Sequence, residues 1–460
     1  MSRSRLLAGV AVGVLTLAAC APGGAVTPTS STGRAAPGPE ALAEADGPVQ
    51  VTVWHGLGST AGTALESAIA DFNAQHEGRI EATAVFQGTY QDTLAKYTSA
   101  VRDQATPSIL VINDVTTGYL RDVGQTVPAQ DLAAANPDGL DLDQLRPAAR
   151  SYYSADGELL AVPLATSMPL LYVNDDLLDR AGVDRATLST LSGVTAAARQ
   201  VADRVPGVAG LVQPFDGWWF EQLTAAAGTT WCGPDNGRAD SGADRATFTD
   251  PAQVSAIQAV ADLYTSGAGL DTGINGNSAV SAFAAGDVAM MFNSSGAIGG
   301  LAAGGTEFSA LPYPVSGDPA VAGALIGGAA MWVSGPGHPD AEQVASWQLV
   351  SHLASAQVQE GFSQISGYAP INTAVDDSPT QQAFLDDNPA TQVLIDQFAD
   401  TPVTTATAGC LTGAMTAIRL EVVDLMQSAF DGTTSVPAAL DQAQQAADQI
   451  LTDYHEMGGR

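Results

Sequence analysis

Apolar and polar positions alternate in VQVTVWH (49–55) and again in RIEATAVFQ (79–87), the period of a half-buried strand. Between them, TALESAIADFNAQHEG (63–78) sets Leu65, Ala68, Ile69 and Phe72 on one helical face, with Gly78 as the stop. YQDTLAKYTSAVRDQ (90–104) has the helical pattern, Pro107 breaks it, and SILVIND (108–114) is a short apolar run that predicts a buried strand. The folded chain thus opens β-α-β-α-β, which predicts a parallel sheet with helices on both faces. Later strands are expected in LLAVPLA (159–165), MPLLYVN (168–174), DVAMMFN (287–293) and ALIGGAAMWVS (324–334). Helices are expected in DPAQVSAIQAVADLYTSG (250–267) and AEQVASWQLVSHLAS (341–355). There is no internal repeat. Two α/β lobes account for 460 residues better than one oversized sheet. Ligands of such folds sit beyond the carboxyl ends of strands or between domains.

The first residues change the picture. MSRSR is basic, and LLAGVAVGVLTLAA is apolar but too short to span a bilayer. Leu17-Ala18-Ala19-Cys20 follows and is similar to a bacterial lipobox. That resemblance makes residues 1–19 a lipoprotein signal peptide and Cys20 the lipidated first residue, anchored at the outer face of the cell membrane. Residues 20–46, rich in Pro, Gly, Ser and Thr, are expected to be a flexible tether. Cys232 and Cys410 are then the remaining cysteines, and an even pair in an exported chain predicts a disulfide.

Charge narrows the partners. With 17 Lys+Arg against 49 Asp+Glu the formal charge is −32, so nucleic acid is excluded as a partner, because binding it requires neutralising phosphates. The histidines (His55, His76, His338, His352, His455) are scattered without metal-ligand spacing, and there is no HExxH, GxSxG or P-loop. No catalytic residue, metal or cofactor is therefore expected.

Against this acidity Arg419 stands out. It is the only Lys or Arg between Arg245 and Arg460, in GAMTAIRLEVVDLM (413–426). If that stretch is a helix, Arg419 shares a face with Met415, Ile418, Val422 and Met426, and none of its neighbours at three or four residues is acidic. A buried guanidinium needs a partner. Either a distant carboxylate supplies it, or an anionic ligand does, gripped by the planar fork. Ser294-Ser295-Gly296 after a strand reads as an anion-binding turn or a plain helix cap. Gly327-Gly328 inside a strand reads as close backbone approach or simple packing. Phe215, Trp218 and Trp219 read as an aromatic ligand wall or as core.

These segments carry a family resemblance. VTVWHG (51–56), QGTYQDTLAKYTSAVR (87–102), TPSILVINDVTTGYL (106–120), AVPLATSMPLLYVNDDLLDRAGVD (161–184), FAAGDVAMMFNSSGAIGGL (283–301), LPYPV (311–315), SGYAPIN (366–372) and AIRLEVVD (417–424) run in family order. The chain resembles the extracellular solute-binding proteins of ABC importers, most closely the sn-glycerol-3-phosphate-binding branch. The resemblance implies a monomer of two α/β lobes, a type II periplasmic-binding-protein fold with ligand in the interlobe cleft. Lobe I would comprise residues 47–165 and about 311–368, and lobe II about 166–310 and 369–460. It implies permease and ATPase partners and no enzymatic activity. It assigns phosphate to Arg419, Ser295 and Tyr368, the glycerol side to Tyr90 and Ser167, and backbone contacts to Gly327 or Gly328. Two departures bear on the ligand. Asp114 stands where the family commonly has Glu, and Phe215 falls on the first of two pocket tryptophans, the second being Trp218 or Trp219. Family members with such changes tend to take glycerophosphodiesters such as glycerophosphocholine, which makes a glycerophosphodiester the expected ligand and sn-glycerol-3-phosphate the next. An oligosaccharide receptor of the same fold and a secreted hydrolase are the alternatives.

Overall fold

A computed structural model describes residues 35–459. The expected signal peptide, Cys20 and the first part of the expected tether lie outside the described residues. The remainder of that tether is seated on the protein. Residues Glu40–Ala43 form a short helix, Leu42 is buried, and the Asn136 amide donates to the Pro37 carbonyl at 3.0 Å. Leu42, with Ala36 and Ala41 partly buried beside it, docks this segment against the protein, and its helix contacts the helix Asp340–Leu353.

The opening β-α-β-α-β is present. Strands β1 (Val49–His55), β2 (Ile80–Phe86) and β3 (Ile109–Asn113) are joined by helices α1 (Ser59–Gln75) and α2 (Tyr90–Asp103), and β1 pairs in parallel with both neighbours. Strands β4 (Thr126–Val127) and β5 (Val162–Ser167) belong to the same sheet. The second sheet takes β6 (Pro169–Val173), β7 (Ala209–Val212), β8 (Gly269–Leu270), β9 (Val288–Ser294) and β10 (Ser309–Pro312), in the order β8-β7-β9-β6-β10. The chain then returns. Strand β11 (Gly327–Ser334) enters the first sheet antiparallel to β3 on one side and to β4 and β5 on the other. Strands β5, β6 and β9 are buried almost throughout, so they read as continuous apolar runs rather than alternations.

The chain passes from the first sheet to the second across Met168, between β5 and β6. Strand β10 still pairs in the second sheet. Residues 370–376 stay with the first, because the Arg146 guanidinium donates to the Pro370 carbonyl at 2.6 Å and to Asp376 at 2.5 Å. Further on, the Gln397 side chain donates to the Pro169 carbonyl at 2.9 Å and accepts from the Tyr313 amide at 2.6 Å, seating helix Pro389–Asp400 on the second lobe.

Two more helices frame the cleft on the second lobe, α3 (Gly217–Ala226) and α4 (Met415–Phe430), and α5 (Val436–Glu456) packs along α4. Met415, Ile418, Val422 and Met426 of α4 are buried, as their spacing requires. Cys232 and Cys410 are joined by a disulfide that spans 178 residues of sequence.

Candidate functional site

The two sheets present their strand ends to one cleft of about 440 Å³. Asp114 follows the last residue of β3, Ser167 ends β5 and Ser294 ends β9. Because β11 runs antiparallel to β3, its first residues, Gly327 and Gly328, lie at the same end. Parallel β/α connections leave this edge free of covering helices, and ligands collect there.

Helix starts deliver the aromatic rings. Tyr90 opens α2 behind a capping box, in which the Thr89 hydroxyl accepts from the Asp92 amide at 3.1 Å and Asp92 accepts from the Thr89 amide at 2.9 Å. Asp216 caps α3 by accepting from the Trp218 amide at 2.9 Å, which fixes Trp218 in the first turn, on the cleft. The Trp218 indole donates to the Ile326 carbonyl at 3.3 Å. A Cβ on Gly327 would sit 2.9 Å from the Trp218 ring, and Gly328, at φ +107°, would place one 1.8 Å from the Ala165 carbonyl oxygen. The two glycines therefore mark close approach, one to an aromatic ring and one to the neighbouring strand. Gly217 serves the same end, since a Cβ there would lie 2.5 Å from Cβ of Arg419 and drive α3 off α4.

The electrostatics centre on Arg419, the only cation among the described residues lining this cleft. Its partner is not left to a ligand alone. Nη2 donates to Glu221 at 2.5 Å and to Asp114 at 3.2 Å, and Nε donates to Glu221 at 3.1 Å. Glu221 sits on α3 beside it, while Asp114 reaches from the first lobe, so one guanidinium bridges the cleft. Nη1 has no protein partner among the described residues, although the side chain lines the cleft. Burial works against the guanidinium's charge, but Glu221 and Asp114 outweigh it and hold Arg419 above its ordinary range, fully cationic. Burial raises both carboxyls, and Arg419 pulls each back down. Burial also pushes Asp216 up to about 6, against the pull of Arg419 and the α3 amides. The Tyr368 phenol is raised by burial and then by Asp114, so it remains a neutral hydroxyl.

Of the residues singled out in the sequence, Tyr90, Asp114, Ser167, Trp218, Gly327, Gly328, Tyr368 and Arg419 come together on the lining. Three do not. Phe215 is buried, packed edge-on against Phe220 and Phe430, because it precedes the α3 cap and points into the second lobe. Trp219 is one helical step (about 100°) round α3 from Trp218 and fills the core against Phe292 and Tyr313. Ser295 is fully buried, its amide donating to the Met168 carbonyl at 2.8 Å and its hydroxyl accepting from the Met168 amide at 3.4 Å. Its neighbour Ser294 holds the lining position instead. Sequence reasoning missed Asp216 and Glu221. The signal was available, since Asp216 sits at a cap position and Glu221 is a lone acid three residues after Trp218 in the otherwise uncharged run GWWFEQLTAAA.

A two-lobed α/β protein with aromatic and charged side chains lining a cleft at its strand ends has the architecture of a small-molecule receptor. Comparison with known proteins agrees. The profile of the bacterial extracellular solute-binding protein family matches residues 67–391, and the chain belongs to that family, whose members serve ABC importers. It is 27% identical over 414 residues to the sn-glycerol-3-phosphate-binding periplasmic protein UgpB of Agrobacterium fabrum, covering 87% of this chain and 92% of that one. Its fold matches UgpB from Mycobacterium tuberculosis in complex with glycerophosphocholine, with TM-score 0.75, 21% identity and coverage of 90% and 100%. It also matches the cyclic α-maltosyl-1,6-maltose binding protein from Arthrobacter globiformis, with TM-score 0.72, 22% identity and coverage of 88% and 100%.

Proposed function

We propose that this protein is the substrate-binding component of an ABC importer, captures a glycerophosphodiester with a cationic head group such as glycerophosphocholine, and hands it to a permease, doing no chemistry on it. On this reading it is a lipid-anchored monomer. The observation that carries the ligand class is the cleft's mixture of charges. Arg419 offers Nη1 to a phosphate oxygen, while Asp114 and Asp216 lie beside Trp218, Tyr90 and Tyr368 on the same lining. Carboxylates next to aromatic faces suit a quaternary ammonium, and a guanidinium edge suits the phosphate that accompanies it. Ser167, Ser294 and the start of β11 at Gly327 supply hydroxyl and backbone groups for glycerol. The 27% identical relative named for sn-glycerol-3-phosphate supports a phosphoglycerol ligand. One observation favours an oligosaccharide instead: Arg419 is already paired on two of its three nitrogens, as it would be if it served only to organise the cleft floor.

Calorimetric titration of the purified protein with glycerophosphocholine, sn-glycerol-3-phosphate and maltose separates the readings. Saturable binding of the diester is expected, weakened at least tenfold in Arg419→Lys, which keeps the charge beside Glu221 but loses the fork. Binding of maltose alone, unaffected by that substitution, would overturn the phosphoglycerol reading.

A further inference from the structure

Glu221 is a fully buried carboxylate that spends both oxygens. Oε2 takes Nε and Nη2 of Arg419, and Oε1 accepts from the Cys410 amide at 3.1 Å, so the carboxylate ties the guanidinium to the disulfide-held segment around Cys410. Arg419 cannot rotate its Nε edge toward the cleft without breaking that anchor, and only the opposite edge, Nη1, is left facing a ligand. The charges around it are unequal as well. One guanidinium faces Asp114 and Glu221 within hydrogen-bonding distance, and Asp216 lines the same cleft. At their formal charges the three carboxylates therefore outnumber the one guanidinium before any ligand arrives.

We infer that Glu221 is a positioning and specificity-determining residue: it aims a single Arg419 nitrogen at the ligand and cancels most of the guanidinium's charge, so that the cleft accepts a monoanionic phosphodiester and rejects a dianionic phosphate monoester. The inference rests on the phosphoglycerol reading for its choice of ligands. Its physical basis does not. A phosphate monoester carries about −1.5 to −2 at neutral pH, having a second ionisation near 6, whereas a diester carries a single charge at any ordinary pH. Beside the buried Asp114 and Glu221 each uncompensated charge is costly, and a free guanidinium could neutralise a dianion far better than one already shared by two carboxylates. The diester loses less, because its own cationic head group offsets Asp114 and Asp216.

Wild type, Glu221→Gln and Glu221→Asp decide it in two measurements. In the first, melting temperature is followed with sodium sulfate against sodium chloride at equal ionic strength. Wild type should show no sulfate-specific rise, and Glu221→Gln should gain one as Arg419 becomes an open anion receptor. In the second, affinities for sn-glycerol-3-phosphate and glycerophosphocholine are compared, and their ratio should move at least tenfold toward the monoester in Glu221→Gln. Glu221→Asp keeps the charge but withdraws it from Nε, so it should retain the diester preference while both affinities fall at least tenfold. If Glu221→Gln does not fold, the Asp variant carries the test. An unchanged ratio and no sulfate response in Glu221→Gln, or unchanged affinities in Glu221→Asp, would overturn the inference. If wild type binds neither phosphoglycerol compound, the ligand reading falls while the sulfate comparison still decides the role of Glu221.

Discussion

Arg419 and Arg238 are both largely withdrawn from solvent in this acidic protein, and the fold handles them in opposite ways. Arg419, on the cleft, is held by two carboxylates and kept above its ordinary pKa. Arg238 lies where the first lobe meets the segment before the disulfide's second cysteine and has no carboxylate partner among the described residues. Its guanidinium donates to three main-chain carbonyls, those of Ser154 at 2.5 Å, Tyr152 at 3.1 Å and Ala408. Burial lowers it to about 10, with Tyr152 and Glu221 opposing and Arg121 assisting. Carbonyl dipoles can satisfy donors but do not cancel a charge, so Arg238 is a rigid fastener between segments distant in sequence. Paired carboxylates cancel the charge and leave one edge free, which is the arrangement a binding site needs. The difference shows that burial of a cation does not itself mark a site: Arg238 also leaves a donor over, its buried Nε, but only Arg419 carries its spare donor on the cleft lining.

The largest effect should come from removing the paired cation. Arg419→Ala strands Glu221 and Asp114 in low-dielectric surroundings, and urea denaturation should report a loss of about 3–5 kcal/mol. Glu221→Gln in the same chain should recover part of it, since one orphaned charge is gone. A loss under about 1 kcal/mol would mean that water reaches the two acids and that the pairing is worth no more than a surface ion pair. Arg238→Met should cost less, about 2 kcal/mol, because the orphaned groups are neutral carbonyls. Ligand affinity should stay within about twofold, the site's own donors being untouched. A fall in affinity as large as that of Arg419→Lys would erase the contrast and make the fastener part of the binding machinery.

Much of this arrangement was legible in the chain, and the failures have a common cause. The strand–helix alternation around Leu65, Phe72 and Ile109–Asn113 is encoded in local periodicity, and so is the apolar face of Met415, Ile418, Val422 and Met426. Local pattern also singled out Arg419 as needing a partner. It could not say which, because Asp114 and Glu221 lie 305 and 198 residues away in sequence. Facing was harder still. Trp218 and Trp219 are chemically alike and adjacent, and only the cap at Asp216 decides which one meets the cleft. Ser294 and Ser295 pose the same one-residue ambiguity at the end of β9, where the strand gives way to a 3-10 turn that begins at Ser295.

The smallest effect sharpens the comparison through pH. Asp216 is raised by burial from its ordinary 3.8 to about 6 despite Arg419 nearby. Its folded form therefore holds a proton more tightly than the unfolded chain does, and between about 4 and 6 the native state binds more protons. Stability from this group is fully present below that window and declines as pH rises through it. Asp216→Asn keeps an N-cap for α3 and removes the titration, so the variant's stability profile should be flatter over that window than the wild type's. The same proton takes a negative charge from the cleft. Affinity for a zwitterionic phosphodiester that relies on Asp216 for its cationic group should fall as pH drops below about 6, whereas affinity for a simple anion such as sulfate should rise. Arg238, facing carbonyls that do not titrate, should contribute no such slope. Identical pH profiles in wild type and Asp216→Asn would show that Asp216 is hydrated and stays ionised over this window, so that it contributes no proton-linked slope.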